Sequence, residues 1–369
     1  MKKKTRKFLL QLHLYLGLIP GIPLLIVGLT GALLAFTPEI QRWDQPEFYR
    51  IEAKGKRMPQ AQLVHKIKES YPNTRLNHIS MFEEPEKPWT VFASGPVDGK
   101  KRFHRMHINP YNGDIQIDIT NGGWAQWIES LHRNLTVGQL GRYIVGVSSA
   151  LLIIISLSGL YLWIPFRKGS WRRLMDKGDA LSWHNWTGIA VFPVLIVMAF
   201  TGITLTFREP VLHLVYGITA SPELPPPPES TVPSISSQPI SCKEAVTIFQ
   251  QTFPDRIITG FSEPGNAKGA YLLHWGYEDD LNPHAWGKSY LDQYSGMVLG
   301  EINHYEHSLG AMYQQTWWMF HTGEFFGTAG RFVWALFSLT LPLLFLTGLV
   351  RWVGKNGRKN RLKMFFNRL

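Results

Sequence analysis

Residues 8–36 read FLLQLHLYLGLIPGIPLLIVGLTGALLAF, a run without a single Asp, Glu, Lys or Arg. Further apolar stretches follow at Tyr143–Phe166, Trp186–Phe207 and Phe332–Val353, and only the last contains a charge, Arg351. About 20 apolar residues of helix cross a hydrocarbon core about 30 Å thick. The four stretches therefore predict four transmembrane helices, and they exclude the class of soluble globular proteins.

Lys and Arg give the chain of 369 residues a formal net charge of +11, and they are concentrated beside the apolar stretches. They crowd the N-terminus, the loop 167–182 and the tail 354–369. Short basic loops stay in the cytoplasm, so we expect both termini and this loop inside and the two long loops outside. Nucleic-acid binding is the alternative explanation, but charges that adjoin membrane spans favour topology. The first stretch is too long for a cleavable signal peptide and lacks an A-x-A exit, so we expect a retained anchor.

Cysteine usage and short motifs exclude several cofactors. Cys242 is the single cysteine, so an intrachain disulfide and a cysteine-based zinc or iron–sulfur site are ruled out. The sequence has no C-x-x-C-H motif for covalent haem attachment. It also lacks the glycine-rich motifs that bind dinucleotides or ATP.

An internal repeat becomes visible when His13 is aligned with His184 and His132 with His321. The residues that match at equal offsets are Gly17 with Gly188, Thr30-Gly31 with Thr201-Gly202, Phe36 with Phe207, Gly138 with Gly327, Gly141-Arg142 with Gly330-Arg331, Gly159 with Gly348 and Trp163 with Trp352. Because both halves begin and end inside, they are predicted to be parallel repeats related by a pseudo-twofold axis along the membrane normal.

Each long loop carries the pattern of a small α+β domain. A helix-like run opens each loop, and alternating stretches of strand type follow. The helix-like runs are Pro59–Glu69 and Ser241–Thr252; the strand-like stretches are Thr90–Ala93, Phe103–Ile108, Ala270–Trp275 and Lys288–Gln293. Asn109–Gly113 and Asp292–Gly296 each precede a further alternation. The segment 221–240 is rich in Pro and Ser and is predicted to be a linker.

Four histidines, His13, His132, His184 and His321, lie at or just before the starts of the four spans. Ionisable groups at membrane depth are rare and indicate function, although a lone histidine at a helix end can also extend its ring to the interface. The alternating direction of the spans brings His13 and His184 to the inner face and His132 and His321 to the outer face. Each level then offers two imidazoles on opposite sides of the axis.

Two imidazoles are too few for zinc, which takes four ligands, whereas a haem supplies four nitrogens and needs only two axial ligands. Gly17 and Gly188 follow a histidine by four residues and remove bulk where a ring would lie, and Gly31 and Gly202 return to that face near the outer level. Close helix packing explains these glycines equally well. Arg142 and Arg331 are expected either to meet haem propionates or to anchor the interface. His304 and His307 have a spacing that allows two ligands on one helix face.

The sequence resembles the PepSY-associated transmembrane helix family, also called PiuB-like iron-regulated membrane proteins. The residues that carry the resemblance are Leu12-His13 with Gly17, Gly28–Leu34, Leu131–Leu135, His184 with Thr187-Gly188 and Thr201-Gly202, Phe320–Gly323, and the turns Tyr111–Gly113 and Tyr294–Gly296. The resemblance implies an inner-membrane protein of Gram-negative bacteria with two b-type haems that reduces ferric siderophores in the periplasm. It implies that His13, His184, His132 and His321 are the haem ligands. Because the chain has no flavin reductase domain, its electron donor, cytoplasmic or quinol, is expected to be separate.

The expected fold is an α-helical membrane protein with four transmembrane helices in two parallel pseudo-twofold repeats, each enclosing a periplasmic PepSY-like α+β domain. The expected order is 1–36 (N-terminus and first span), 37–131 (first domain), 132–166 (second span), 167–182 (cytoplasmic loop), 183–207 (third span), 208–316 (second domain, with the linker 221–240), 317–353 (fourth span) and 354–369 (tail).

The histidine pairs predict transmembrane electron transfer with haem iron as carrier and the lipid bilayer as surroundings, and the resemblance implies a ferric siderophore as the acceptor. No nucleic-acid partner is expected. A non-enzymatic PepSY module that regulates or inhibits a partner is the first alternative. The second alternative is a transporter of iron, haem or siderophore. The sequence disfavours it, because spans that are unbroken and lack buried carboxylates offer little transport pathway.

Overall fold

The computed structural model describes residues 3–97, 100–118, 123–164, 179–233, 238–278, 287–303 and 308–366. The chain forms two compact units. The helical unit comprises Met1–Thr37, Trp127–Gly217 and Thr316–Leu369, and the sheet unit comprises Pro38–Gln126 and Ile218–Gln315.

The helices and strands are named here in chain order. The helices are α1 (Lys3–Leu18), α2 (Gly21–Leu34), α3 (Thr37–Asp44), α4 (Pro46–Tyr49), α5 (Gln60–Ser70), α6 (Gly123–Asn134), α7 (Gly138–Trp163), α8 (Ala180–Thr206), α9 (Arg208–Thr219), α10 (Cys242–Thr252), α11 (Leu309–Thr322), a 3-10 turn (Glu324–Phe326) and α12 (Gly327–Phe366). The strands are β1 (Arg75–Ser80), β2 (Trp89–Val97), β3 (Lys100–Ile108), β4 (Ile115–Asp118), β5 (Ile257–Ser262), β6 (Ala270–Gly276), β7 (Gly287–Asp292) and β8 (Val298–Ile302).

Among the described residues of the helical unit, three segments are each long and apolar enough to cross a membrane. They are Gly138–Trp163, Ala180–Thr206 and Glu324–Gly354, with mean hydropathies of 2.1, 2.3 and 2.1. Much of their surface is apolar and exposed, as at Leu140, Val197 and Leu336. Exposed apolar side chains on long helices are typical of contact with lipid. Together with the antiparallel sheet, these helices describe a multi-pass membrane protein with an extramembrane α+β part.

The first apolar stretch is not one straight helix. Helices α1 and α2 meet at a break and are bent by 53°, and they cross a membrane only if the pair counts as one span. Pro20 at the break has backbone angles of the helical region, but it has no N–H to donate to the carbonyl four residues before it, and its ring crowds that carbonyl. The expectation of four unbroken spans is therefore wrong for this segment, and one argument against a transporter is removed.

The sheet unit contains one continuous antiparallel sheet in the order β4-β3-β2-β1-β5-β6-β7-β8. The first four strands come from the first long loop and the last four from the second. They join where β1 pairs with β5, with Ile79 opposite Phe261. The sequence patterns predict two small domains, and the structure combines their strands in a single sheet.

Helices α5 and α10 supply the other layer of the sheet unit. Their buried side chains, such as Leu63, Val64 and Phe249, share one core with Leu76 and Phe261 of the central strands. Ser241 and Glu244 form a capping box at the start of α10, which satisfies two backbone N–H groups that would otherwise lack a partner. The described residues of the expected linker, 221–233 and 238–240, contain neither helix nor strand.

Glu263, just after β5, contacts residues from both halves of the sheet unit. Its carboxylate accepts hydrogen bonds from the backbone N–H of Leu76 at 2.5 Å and from the thiol of Cys242 at 2.6 Å. It also forms an ion pair with Lys68 at 3.0 Å. Burial, followed by the Glu263 charge, raises the pKa of the Cys242 thiol, so this cysteine is an un-ionised hydrogen-bond donor.

We expect the protein to lose stability in mild acid because of buried histidines in the sheet unit. Burial lowers the pKa of His107 to about 4, Asp118 opposes this shift and Arg105 adds to it. The unfolded chain takes up a proton near pH 6.5 while the folded chain does not. Stability should therefore fall as pH drops from about 6.5 to about 4, by up to about 1.4 kcal/mol per pH unit for this group.

The melting temperature of the detergent-purified protein, measured by intrinsic fluorescence at several pH values, tests this expectation. The variant His107→Phe keeps an aromatic ring beside Tyr49, whose ring centroid lies 4.5 Å away, and it should show a shallower acid slope. The control His65→Phe alters an exposed side chain and should keep the wild-type slope. Equal slopes in all three proteins would contradict the assignment.

Candidate functional site

The four span histidines meet in two pairs within the helical unit. The ring centroids of His13 and His184 are 6.0 Å apart with ring planes at 89°, and we call these two residues the first pair. Those of His132 and His321 are 6.2 Å apart at 63°, and they form the second pair. The structure thus brings together the partners that the repeat predicts.

The helices that carry these histidines differ between the pairs. His13 lies in α1 and His184 near the start of α8, whereas His132 and His321 lie in α6 and α11, the helices that precede the spans α7 and α12. A turn separates each of these short helices from its span. Leu135 and Thr136 have φ of 53° and 59° in one turn, and Gly323 has φ of 79° in the other. The two turns end α6 and α11 one or two residues beyond the histidine.

We call α1, α2, α6 and α7 the first half of the helical unit, and α8, α11 and α12 the second half. In each half, Nδ1 of the histidine of the first pair contacts the later span, which is α7 or α12. Nδ1 of His13 lies 3.2 Å from the carbonyl oxygen of Ile155 and 3.0 Å from the hydroxyl of Ser158, both in α7. Nδ1 of His184 lies 3.0 Å from the carbonyl oxygen of Leu344 and 3.1 Å from the hydroxyl of Thr347, both in α12. The two environments have the same chemistry.

The second pair is held in the same way, with the helices exchanged. Nδ1 of His132 lies 3.0 Å from the carbonyl oxygen of Val27 and 3.0 Å from the hydroxyl of Thr30, both in α2. Nδ1 of His321 lies 2.9 Å from the hydroxyl of Thr201 in α8. Each half of the helical unit therefore contributes one histidine to each pair and orients both of them itself.

These contacts fix the tautomer of the rings. A carbonyl oxygen can only accept a hydrogen bond, so Nδ1 must carry the proton and donate. At His321 the hydroxyl of Thr201 already donates to the carbonyl oxygen of Val197 at 2.8 Å, and its oxygen is left to accept from the ring. Nε2 then holds a lone pair in every ring, which is the state in which histidine binds a metal.

A glycine follows each of these hydroxyl residues in the sequence and lies against the imidazole ring. A Cβ atom at Gly31 would lie 3.0 Å from Cε1 of His132, and one at Gly159 would lie 3.0 Å from Cε1 of His13. The corresponding distances are 3.5 Å from Gly348 to His184 and 3.6 Å from Gly202 to His321. Gly31 and Gly202 thus lie at the second pair, as expected, and they contact the imidazoles themselves.

Gly17 and Gly188, the other two glycines predicted to lie beside a bound ring, have few neighbouring atoms. A Cβ atom at Gly17 would meet nothing within 4 Å, and one at Gly188 would meet only Cδ2 of Leu344, at 3.7 Å. Helix packing does not require glycine at either position, because neither contacts a neighbouring backbone. That these two residues make room for a ring stays a prediction.

Arg142 and Arg331 bind helix ends. Arg142 donates to the carbonyl oxygen of Leu205 at the end of α8, at 2.6 Å, and Arg331 donates to that of Ala35 at the end of α2, at 3.0 Å. A guanidinium at a helix C-terminus satisfies a carbonyl and offsets the helix dipole. This contact gives both residues an anchoring role, and a contact with propionates stays a prediction.

The donor set indicates which group the pairs could hold. Among the described residues no cluster of three or more His, Cys, Asp or Glu side chains could hold a metal ion. His304 and His307 lie outside the described residues. When two imidazoles bind one metal from opposite sides, each metal–nitrogen bond is about 2.0–2.1 Å long, and each nitrogen lies about 1.1 Å from its ring centre. The two ring centroids are then about 6.2–6.4 Å apart. The observed 6.2 Å of the second pair lies at the lower end of that range, and the observed 6.0 Å of the first pair lies just below it. Two neutral imidazoles with Nδ1 engaged therefore fit a metal whose other ligands come from a macrocycle.

The four histidines, Gly31 and Gly202 are predicted from the sequence as parts of the site, whereas Gly159 and Gly348 are predicted only as repeat matches. The contacts of the hydroxyl residues with the rings were missed. A signal was present in the sequence. The dipeptide Ser/Thr-Gly occurs at Thr30, Ser158, Thr201 and Thr347, at least once in each apolar stretch, and the third stretch has a second copy at Thr187.

We expect the substitutions Gly159→Ala and Gly348→Ala to have opposite effects on stability. Alanine in a helix interior is ordinarily better than glycine by about 0.5–1 kcal/mol. At Gly159 the new methyl group would press on the ring of His13, which its Nδ1 contacts hold in place, and overpacking costs about 1–3 kcal/mol. Thermal unfolding in detergent should show a lower melting temperature for Gly159→Ala and an equal or higher one for Gly348→Ala. An equal gain in both variants would contradict the described position of His13.

The PepSY-associated TM region matches residues 10–355, a range that includes all four histidines and both units. No curated protein matches the chain. The match covers most of the sequence, and the chain therefore belongs to the family of proteins with a PepSY-associated transmembrane region.

Proposed function

We propose that the protein is a di-haem b oxidoreductase of the bacterial inner membrane that passes electrons from the cytoplasmic side to the periplasm and reduces ferric siderophores. The observation that carries the proposal is the geometry of the histidine pairs. The ring centroids of the two pairs lie 6.0 and 6.2 Å apart, close to the spacing of two ligands on one metal, and Nδ1 of all four rings is engaged.

The ligands in this proposal are His13 with His184 near the cytoplasmic face and His132 with His321 near the periplasmic face. Each pair would hold one haem b through Nε2. A bound haem would supply a one-electron carrier. Because two histidines would hold each haem, the substrate would bind and be reduced outside the helix bundle.

The substrate class follows from iron chemistry. Siderophores hold iron with hard oxygen ligands, which favour the ferric over the ferrous ion. A ferric siderophore accepts one electron, its iron becomes Fe(II), and the oxygen ligands bind that ion less tightly. The electron comes from a separate donor, cytoplasmic or quinol.

The proposed topology rests on the distribution of charge. Basic residues adjoin the inner ends of the proposed spans, and both termini and the loop 167–182 would be cytoplasmic. The sheet unit would then be periplasmic, with the pair α1 and α2 serving as the fourth span.

Two parallel repeats are part of the same proposal. The two halves of the sheet have the same number of strands in mirrored order about β1 and β5. In the helical unit the two halves have equivalent contacts at the histidines, with Ser158 and Thr30 in one half and Thr347 and Thr201 in the other. These correspondences support an axis that relates the halves.

Proteoliposomes with dithionite inside and with ferrioxamine B and ferrozine outside test the proposal. We expect purified wild-type protein to contain two haems per chain, with a b-type reduced spectrum, and to form the coloured ferrous complex outside the vesicles. His132→Ala and His321→Ala should lose about half of the haem and most of the reduction. The control His65→Ala changes an exposed residue paired with Glu69 and should behave like wild type.

Other outcomes would support the alternatives. A colourless, folded protein that releases no ferrous iron would contradict the proposal and favour a regulatory PepSY module. Uptake of radiolabelled ferrioxamine B into vesicles that contain no reductant would favour a transporter, for which the broken first span is a specific reason.

A further inference from the structure

The hydroxyl groups of Thr30, Ser158, Thr201 and Thr347 have a feature in common that ordinary helix hydroxyls lack. Each donates to a carbonyl of its own helix, as Thr30 does to Ile26 at 2.7 Å and Ser158 to Ile155 at 2.9 Å. Each also lies 2.9–3.1 Å from Nδ1 of a histidine on another helix. The hydroxyl proton is used within the helix, so the oxygen accepts from the ring.

The Nδ1–H groups of His13, His132 and His184 thus have two acceptors, a hydroxyl and the carbonyl three residues before it. Such an arrangement leaves little freedom for the ring to rotate. A hydrogen bond donated by one ring nitrogen also makes the other nitrogen a stronger ligand, and such outer partners affect metal affinity by about 10–100-fold. The contacts therefore act on both the direction and the basicity of Nε2.

We propose that Thr30, Ser158, Thr201 and Thr347 are positioning residues that set the affinity and the reduction potential of the haem bound by the histidine each one contacts. The proposal rests on the proposed function, since it assumes that the pairs hold haem. It adds an assignment of each hydroxyl to one haem: Ser158 and Thr347 to the first pair, and Thr30 and Thr201 to the second.

The assignment crosses the helices in a way that a local effect would not. Thr30 belongs to the same apolar stretch as His13, a ligand of the first pair, yet its hydroxyl contacts His132 of the second pair. Ser158 lies in α7, which follows His132, yet it contacts His13 of the first pair. Loss of the Thr30 hydroxyl should therefore alter the haem of the second pair, and loss of the Ser158 hydroxyl should alter the haem of the first pair.

The test compares Thr30→Val, Thr30→Ser and Thr340→Val in the full-length protein. Valine keeps the shape of threonine and removes the acceptor, and serine restores it. Thr340 is a matched control, because its hydroxyl also donates to its own helix, to Phe337 at 2.6 Å, and no hydrogen bond joins it to any of the four histidines. Potentiometric titration and haem transfer to an apo-globin acceptor supply the readouts, and His132→Ala protein identifies the haem of the second pair.

We expect Thr30→Val to lose the haem of the second pair about 10-fold faster than wild type, and to raise its midpoint potential because a weaker imidazole donor stabilises ferric iron less. The haem of the first pair should be unchanged. Ser158→Ala should give the reverse pattern, while Thr30→Ser and Thr340→Val should match wild type.

Two failures are distinguishable. A wild-type protein without haem would overturn the proposed function and this inference with it. A wild-type protein with two haems whose potentials and loss rates are the same in Thr30→Val and Thr340→Val would overturn this inference alone. An equal change of both haems in Thr30→Val would also overturn it, since that result indicates general loosening of the bundle.

Discussion

The helical unit depends on the need to satisfy a buried imidazole N–H away from water. An unpaired polar group in an apolar surrounding costs several kcal/mol, and each of the four histidines meets this need with a hydroxyl on the other helix of its half. In the first half, His13 is hydrogen-bonded to Ser158 and His132 to Thr30. The two spans of that half therefore contact each other at both ends, which fixes their register. The histidine pairs then form where the halves meet.

This arrangement separates the tasks of orientation and ligation. Contacts within a half hold Nδ1 of each ring, and the rings of different halves lie 6.0 and 6.2 Å apart. A ligand between the rings would therefore join halves that are already ordered internally. Preorganised ligands of this kind reduce the cost of binding. Gly31 and Gly159 add to this order, since a Cβ atom there would lie only 3.0 Å from Cε1 of His132 and of His13.

Much of this could be predicted from sequence because it depends on spacing along helices. The apolar stretches, the histidine pairs and six of the eight strands have local patterns. Strands β1 and β5 were missed because RLNHIS and IITGFS alternate weakly, and their pairing depends on contacts between distant parts of the chain. The break at Pro20 was overlooked although proline is its direct cause. The role of Ser158 depends on the rotation of α7 against α1, which no local pattern specifies.

The pairing of the histidines can be measured most directly by the haem content of double variants. His13→Ala combined with His184→Ala removes both members of one pair, and His13→Ala combined with His132→Ala removes one member of each. The account predicts that the first protein retains one haem per chain and the second retains none. Equal haem content in the two proteins, or a wild-type protein without haem, would contradict it.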